Sequence, residues 1–234
     1  MNDPRFANRQ LERLAVVVPS HRAMAKLRHG LRAKMDGPAR MPQFYALSGF
    51  IEASSHLAAA DPLEVLARMY SLIQEEDDAP SFDRFVPWAT VVLSDFAAVD
   101  HELGDVHNVF QNLADIQGIE DWSFGEPELS EDQKAFERQW RRLPGLYQKL
   151  HGSLLHDGLA TRAQLTRSVA EGKGQMEVDH VLAAGLATMS TAEWKCLDAW
   201  NKTDRLTVLW DADPTYVHDV HNEAGLFIRK FRSP

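Results

Sequence analysis

"RLAVVVPSHRAMAKLRHGLRAKM", residues Arg13 to Met35, decides how this chain folds. It begins apolar and β-branched, Val16 to Val18, and Pro19 ends that run. A short continuous apolar run reads as a strand buried on both faces. Ser20 stands in the N-cap position, and Ala23, Leu27 and Leu31 recur every four residues, the spacing of one helix face. Strand, short turn and helix in direct succession form the βα unit of a parallel sheet.

Working outward, Gly37-Pro38 is a break. "FYALS" (Phe44–Ser48) is a second short strand, followed by a helix from about Gly49 to Ala59. Near the other end, "HVLAAGL" (His180–Leu186) is a buried strand. Ser190-Thr191-Ala192-Glu193 is a capping box opening a helix. "RLTVLWD" is a last strand, and "VHDVHNEAGLFIRKF" reads as a last helix. Between these ends the pattern is helical. Asp61-Pro62-Leu63-Glu64 is a helix start, with an N-cap acid and proline in the first turn. Pro87 stands near another start, and Ser130-Glu131-Asp132-Gln133 is a further capping box. Five or six helices with almost no strand are expected there, ending at the loop Gly172–Gly174. The expected organisation is an α/β core formed by residues 1–60 and 175–234, with a helical insertion over 61–174.

The chain has 234 residues, 44% hydrophobic and 25% charged, so it has the composition of a soluble globular protein with a proper core. A single cysteine, Cys196, allows no internal disulfide, and the N-terminus has no secretory apolar region. No apolar run is long enough to cross a bilayer. A cytoplasmic location and no membrane partner are therefore expected. The net charge of −9 is unevenly spread. Residues 1–40 hold nine Lys/Arg against three acids, and residues 75–132 hold sixteen acids against Arg84 alone. A basic segment can meet phosphates and an acidic one repels them, although both can equally be solvated faces.

Several motifs carry possible chemistry. Asp211, Asp213 and Thr215 are spaced D-x-D-x-T after a strand, as in phosphatases that use an aspartate nucleophile. That chemistry also needs a later lysine and a later acidic pair, and only nineteen residues follow Thr215. The same spacing holds a metal in some glycosyltransferases, but no glycine-rich or acidic ribose contact accompanies it here. His218, His221 and Glu223 offer metal-ligand types without a third ligand at fixed spacing. Gly172-Lys173 is no phosphate loop, because Arg167 replaces the earlier glycine and no Ser/Thr follows the lysine. Asp179, Glu193 and Lys195 match the letters of a D…E-x-K nuclease, but Glu193 belongs to the capping box. Trp88, Trp122, Trp140, Trp194 and Trp200 have apolar neighbours and read as core, as does Cys196. No catalytic residue, metal or cofactor is expected for this chain.

Five blocks occur in a recognisable order: "VVVPSHRA", "MPQFYALSGFI", "SFDRFVPWATVVLSDFAAVD", "LSEDQKAF" and "WDADPTYVHDVHNEAGLFIR". Together they resemble the N-terminal region of AddB-like proteins of the Bacteroidetes type, over most of residues 14–229. That family is described as inactivated superfamily I helicases with a PD-(D/E)XK nuclease domain far downstream. The resemblance implies a RecA-like parallel sheet, of the P-loop type without the P-loop, interrupted by a large all-helical insertion. In active helicases the strand matching "HVLAAGL" ends in the acid pair that holds magnesium; Ala184 and Gly185 stand there. "LTVLWDADPTY" resembles the next strand, so Asp211 or Asp213 and Tyr216 occupy positions of a nucleotide- and DNA-sensing element. The chain departs from its relatives at Trp88-Ala89 and Asp95-Phe96-Ala97-Ala98, where they show Trp-Gly and Asp-Phe-Asn-Glu.

The implied function is a non-catalytic, degenerate helicase domain of a helicase–nuclease in DNA double-strand break repair and recombination. DNA is the expected partner, touched through Arg22, Lys26, Arg28, Arg32 and Lys34. Downstream helicase-like and nuclease domains, and a partner helicase–nuclease subunit, are the other expected partners. Two alternatives stay open at this point: a metal-dependent phosphotransfer enzyme using Asp211 and Asp213, and a protein-interaction module using the acidic helical block.

Overall fold

The computed structural model describes residues 11–35, 40–74, 79–110 and 131–232. The chain divides into two compact units, Met1–His56 with Thr166–Pro234, and Leu57–Leu165.

The first unit is built on a four-stranded parallel sheet in the order β2 (Gln43–Ala46), β1 (Leu14–Val18), β5 (His180–Ala184), β6 (Leu206–Leu209). Strand β1 (Leu14–Val18) is buried throughout, as its unbroken apolar sequence requires. Ser20 then caps α1 (His21–Arg32), its hydroxyl accepting from the Ala23 amide at 3.2 Å. The chain returns as β2 (Gln43–Ala46), in register with β1 from Ala15 opposite Gln43 to Val18 opposite Ala46. Helix α2 (Leu47–Ser54) follows. After the second unit, β5 (His180–Ala184) pairs with the other side of β1, with Leu14 opposite His180. Helix α8 (Thr191–Asn201) opens on the expected capping box of Ser190 and Glu193, and β6 (Leu206–Leu209) completes the sheet.

The crossovers from β1 to β2 and from β5 to β6 run in opposite directions, so right-handed connections place their helices on opposite faces. Ala23 and Met24 of α1 pack on the face carrying Leu14, Val16 and Val18. On the other face Tyr45 meets Phe50 of α2 edge-on, and Phe50 meets Trp200 of α8. There Ala15, Val17, Val181 and Ala183 are all fully buried. The α1 face is thinner: Leu182 and Ala184 are half-buried, and α1 itself has no buried residue.

The second unit is helical, with α3 (Pro62–Gln74), α4 (Phe82–His101), α5 (described at 106–110) and α6 (Glu131–His156). Helix α7 (Arg162–Ala170) leads out of it. Asp61 caps α3 as its sequence demands, accepting from the Leu63 amide at 2.8 Å with Pro62 as the first helical residue. Val65, Met69, Phe85, Ala89, Phe96, Phe110, Leu150 and Leu154 form its core. Inside that core Asp100 is completely buried and accepts a hydrogen bond from the Tyr147 hydroxyl. Arg68 ties α3 to the end of α6, bonding the Ser153 carbonyl at 2.9 Å and the Asp157 carboxylate at 2.6 Å.

Three element expectations need correction. The helix read over 49–59 stops at Ser54, whose hydroxyl turns back to the Phe50 carbonyl at 2.8 Å. Ser55 is then extended and bridges Gly174. Second, the Leu57–Leu165 unit contains a parallel pair of two-residue strands, β3 (Ala58–Ala59), just before the expected helical block, and β4 (Leu159–Ala160) within it. Third, the last helix is broken into α9 (Pro214–His218), a 3-10 turn at Glu223–Gly225 and α10 (Leu226–Arg232). The Asp219 carboxylate accepts from the His221 amide, and Arg229 donates to the carbonyls of Asp219 and Asn222 at 2.8 Å each, closing the intervening loop. Gly37, Pro38, Trp122, Ser130, and residues 75–78 and 111–130 of the acidic stretch lie outside the described residues.

Candidate functional site

Open parallel sheets bind ligands outside the carboxyl ends of their strands, where the crossover direction reverses. Here that point lies between β1 and β5. Pro19 and Ser20 leave β1, and Ala184 and Gly185 end β5. Gly185 turns the chain with φ of 69°, and its amide donates to the Leu209 carbonyl at 3.0 Å. Ala184 pairs with Leu209 in register. The edge therefore brings together Ala184, Gly185, the end of β6 and the start of α1. Asp211 follows two residues beyond β6 and is exposed.

Asp213 caps α9. Its carboxylate accepts from the Thr215 amide at 2.7 Å, and Pro214 is the first helical residue. The side chain and then the amide of Thr215 hold the Asp213 carboxyl below its ordinary value. An ionised, exposed N-cap in this geometry completes a strand-to-helix turn. The signal was present in the sequence as Asp-Pro, the same pair read correctly at Asp61-Pro62. Tyr216 lies within α9, and His218 and His221 are exposed. Among the described residues, no group of three or more His, Cys, Asp or Glu comes together to hold a metal ion.

The nuclease-like letters are dispersed. Asp179 precedes β5 and pairs with Arg13 at 2.9 Å, while Glu193 follows β5 and bonds the Ser190 amide at 2.8 Å. Cys196 is buried, its thiol pushed up to about 12 chiefly by burial, and it donates to the Thr166 carbonyl. Trp88 and Trp140 are half-buried against the aromatic core of the second unit. Trp194 meets Trp210, and Trp200 lies under the Arg205 guanidinium.

The cations on α1 form a continuous charged row. Arg22, Lys26, Arg28 and Arg32 are all exposed along one helix that contains no acid, and exposed Lys34 follows its end. None of the five makes an ion pair with a described residue. In the same unit Arg13, Arg40, Arg167, Lys173 and Lys202 are all paired with carboxylates. Cations without a carboxylate partner among the described residues, on a protein of net charge −9, define a local field opposite in sign to that of the whole. Among the described residues no helix is long and apolar enough to cross a membrane.

No family model matches this chain, and no curated protein matches it.

Proposed function

We propose that this chain is a non-catalytic domain of a helicase–nuclease acting in DNA double-strand break repair and recombination. It serves as a scaffold that touches DNA backbone through α1. The observation that carries this reading is the row of exposed cations Arg22, Lys26, Arg28 and Arg32, continued by Lys34, none of them ion-paired with a described residue. Phosphates are the counter-charge such a row fits, since backbone contacts need positive charge without a catalytic group. The resemblance to AddB-like proteins supplies the DNA-repair context. The fold supports it as a parallel α/β unit interrupted in sequence by helices. The RecA-like assignment and the downstream domains are part of the proposal. Ala184 and Gly185 at the end of β5 agree with a domain whose magnesium-binding acids have been lost.

The test measures DNA binding and ATP hydrolysis together. The chain is titrated into fluorescein-labelled DNA at rising salt, and ATP turnover is followed with and without that DNA. Salt-sensitive binding without DNA-stimulated turnover is expected. Binding that is absent at low salt, or indifferent to salt, removes the contact role. DNA-stimulated ATP hydrolysis removes the non-catalytic one.

A further inference from the structure

The arrangement of charge around α1 says more than its sign. At about 100° per residue, Arg22, Lys26 and His29 fall on one ridge of the helix. His21, Arg28 and Arg32 fall on a second ridge, roughly 100° around the axis from the first. Ala25 lies between the ridges, exposed and small. Ala23, Met24, Leu27 and Leu31 occupy the opposite side, and Ala23 and Met24 pack on the sheet. No residue of this twelve-residue helix is buried, so both ridges stand clear of the unit that carries them.

Resting on the DNA reading above, we infer that α1 is a duplex-facing helix whose two cationic ridges contact the two phosphodiester backbones flanking one major groove. A single strand needs one ridge; a groove has a phosphate wall on each side. The major groove of B-form DNA admits a helix, whereas that of A-form RNA is too deep and narrow. Proteins that hold single strands add aromatic platforms on which bases stack. Helix α1 carries no Phe, Tyr or Trp. Ala25, the residue between the two ridges, brings no hydrogen-bonding group to the base edges. The contact is therefore independent of sequence, made by charge and by groove width.

Fluorescence anisotropy on the whole chain tests this with three labelled probes: a twenty-base-pair DNA duplex, one of its strands alone, and the RNA duplex of the same sequence. Vesicles containing phosphatidylserine serve as a fourth arm. The DNA duplex is expected to bind tightest, and duplexes of scrambled sequence to bind equally. Four phosphate contacts give a slope of log K against log salt of roughly −3.6, a loss of about a hundredfold between 50 and 200 mM salt. Arg22→Gln with Lys26→Gln, and separately Arg28→Gln with Arg32→Gln, should each reduce that slope by about 1.8. All four side chains are exposed, and circular dichroism verifies that each variant stays folded. Tighter binding to the single strand, the RNA duplex or the vesicles overturns the inference. So does a result in which one pair carries the whole effect. Salt-sensitive binding to the single strand alone defeats the duplex geometry but leaves the DNA-contact reading standing; no binding to any nucleic acid defeats both.

Discussion

Gly185 shows why a side chain cannot simply be added where the chain turns out of β5. Its φ of 69° lies in the left-handed region, where a Cβ crowds the following carbonyl. A Cβ there meets no neighbour within 4 Å, so any penalty comes from the backbone alone. Gly185→Glu is expected to destabilise the protein by about 1–2 kcal/mol, read as a lowered midpoint in urea with an unchanged slope. An unchanged midpoint would mean that the turn is not held in this conformation. Asp213 teaches the complementary lesson. Its letters matched a nucleophile motif, but Pro214 beside it and the Thr215 amide make it a cap. The residue types at this edge were legible in the sequence. Whether they converge was not, because convergence depends on which strands become neighbours.

Elements closed by local rules were read correctly from sequence. The Ser20 cap, the Ser190–Glu193 box and the Asp61-Pro62 start each need only four consecutive residues. Elements ended by distant contacts were misread. Helix α2 stops where the backbone of Ser54 and Ser55 is taken up by residues 174 and 175: the Gln175 amide donates to the Ser54 carbonyl at 2.7 Å, and Gly174 bridges Ser55. No periodicity in residues 44–59 announces that partner. Likewise the break after α9 depends on Arg229, which lies beyond the break itself. The bridge explains Gly174. A Cβ there would lie 2.8 Å from Val169 Cγ1 and 3.0 Å from the Ser54 carbonyl oxygen. Gly174→Ala should cost about 1–3 kcal/mol through this overpacking. Gly152, inside α6 with open space around its added Cβ, is the control. Gly152→Ala should stabilise by about 0.5–1 kcal/mol. Thermal melts of the two variants that shift in the same direction would refute the close approach at Gly174.

Across the whole molecule, the helical unit interrupts a sheet that must pair Leu14 with His180. Such a distant pairing carries a large loop-closure cost and slows folding. The small β3–β4 pair, unexpected from sequence, reduces it. Ala58 lies opposite Leu159, so where the chain enters and leaves the helical unit it is held about one strand spacing, roughly 4.8 Å, apart. Once that unit has folded, its residues no longer count as loop, and closing β1 onto β5 becomes easier by about 1 kcal/mol. Consecutive helices form from local contacts and should therefore come first. Pulse-labelled hydrogen exchange is expected to find amides of α3, α4 and α6 protected before those of β1 and β5. Ala58→Pro removes the amide that donates to the Gly158 carbonyl at 3.0 Å. It should slow protection of β1 and β5 by about fivefold, the same 1 kcal/mol expressed as a rate, while leaving the early helical phase in place. Protection of β1 and β5 together with the helices, or ahead of them, would show that the sheet does not wait for the insertion to close its loop.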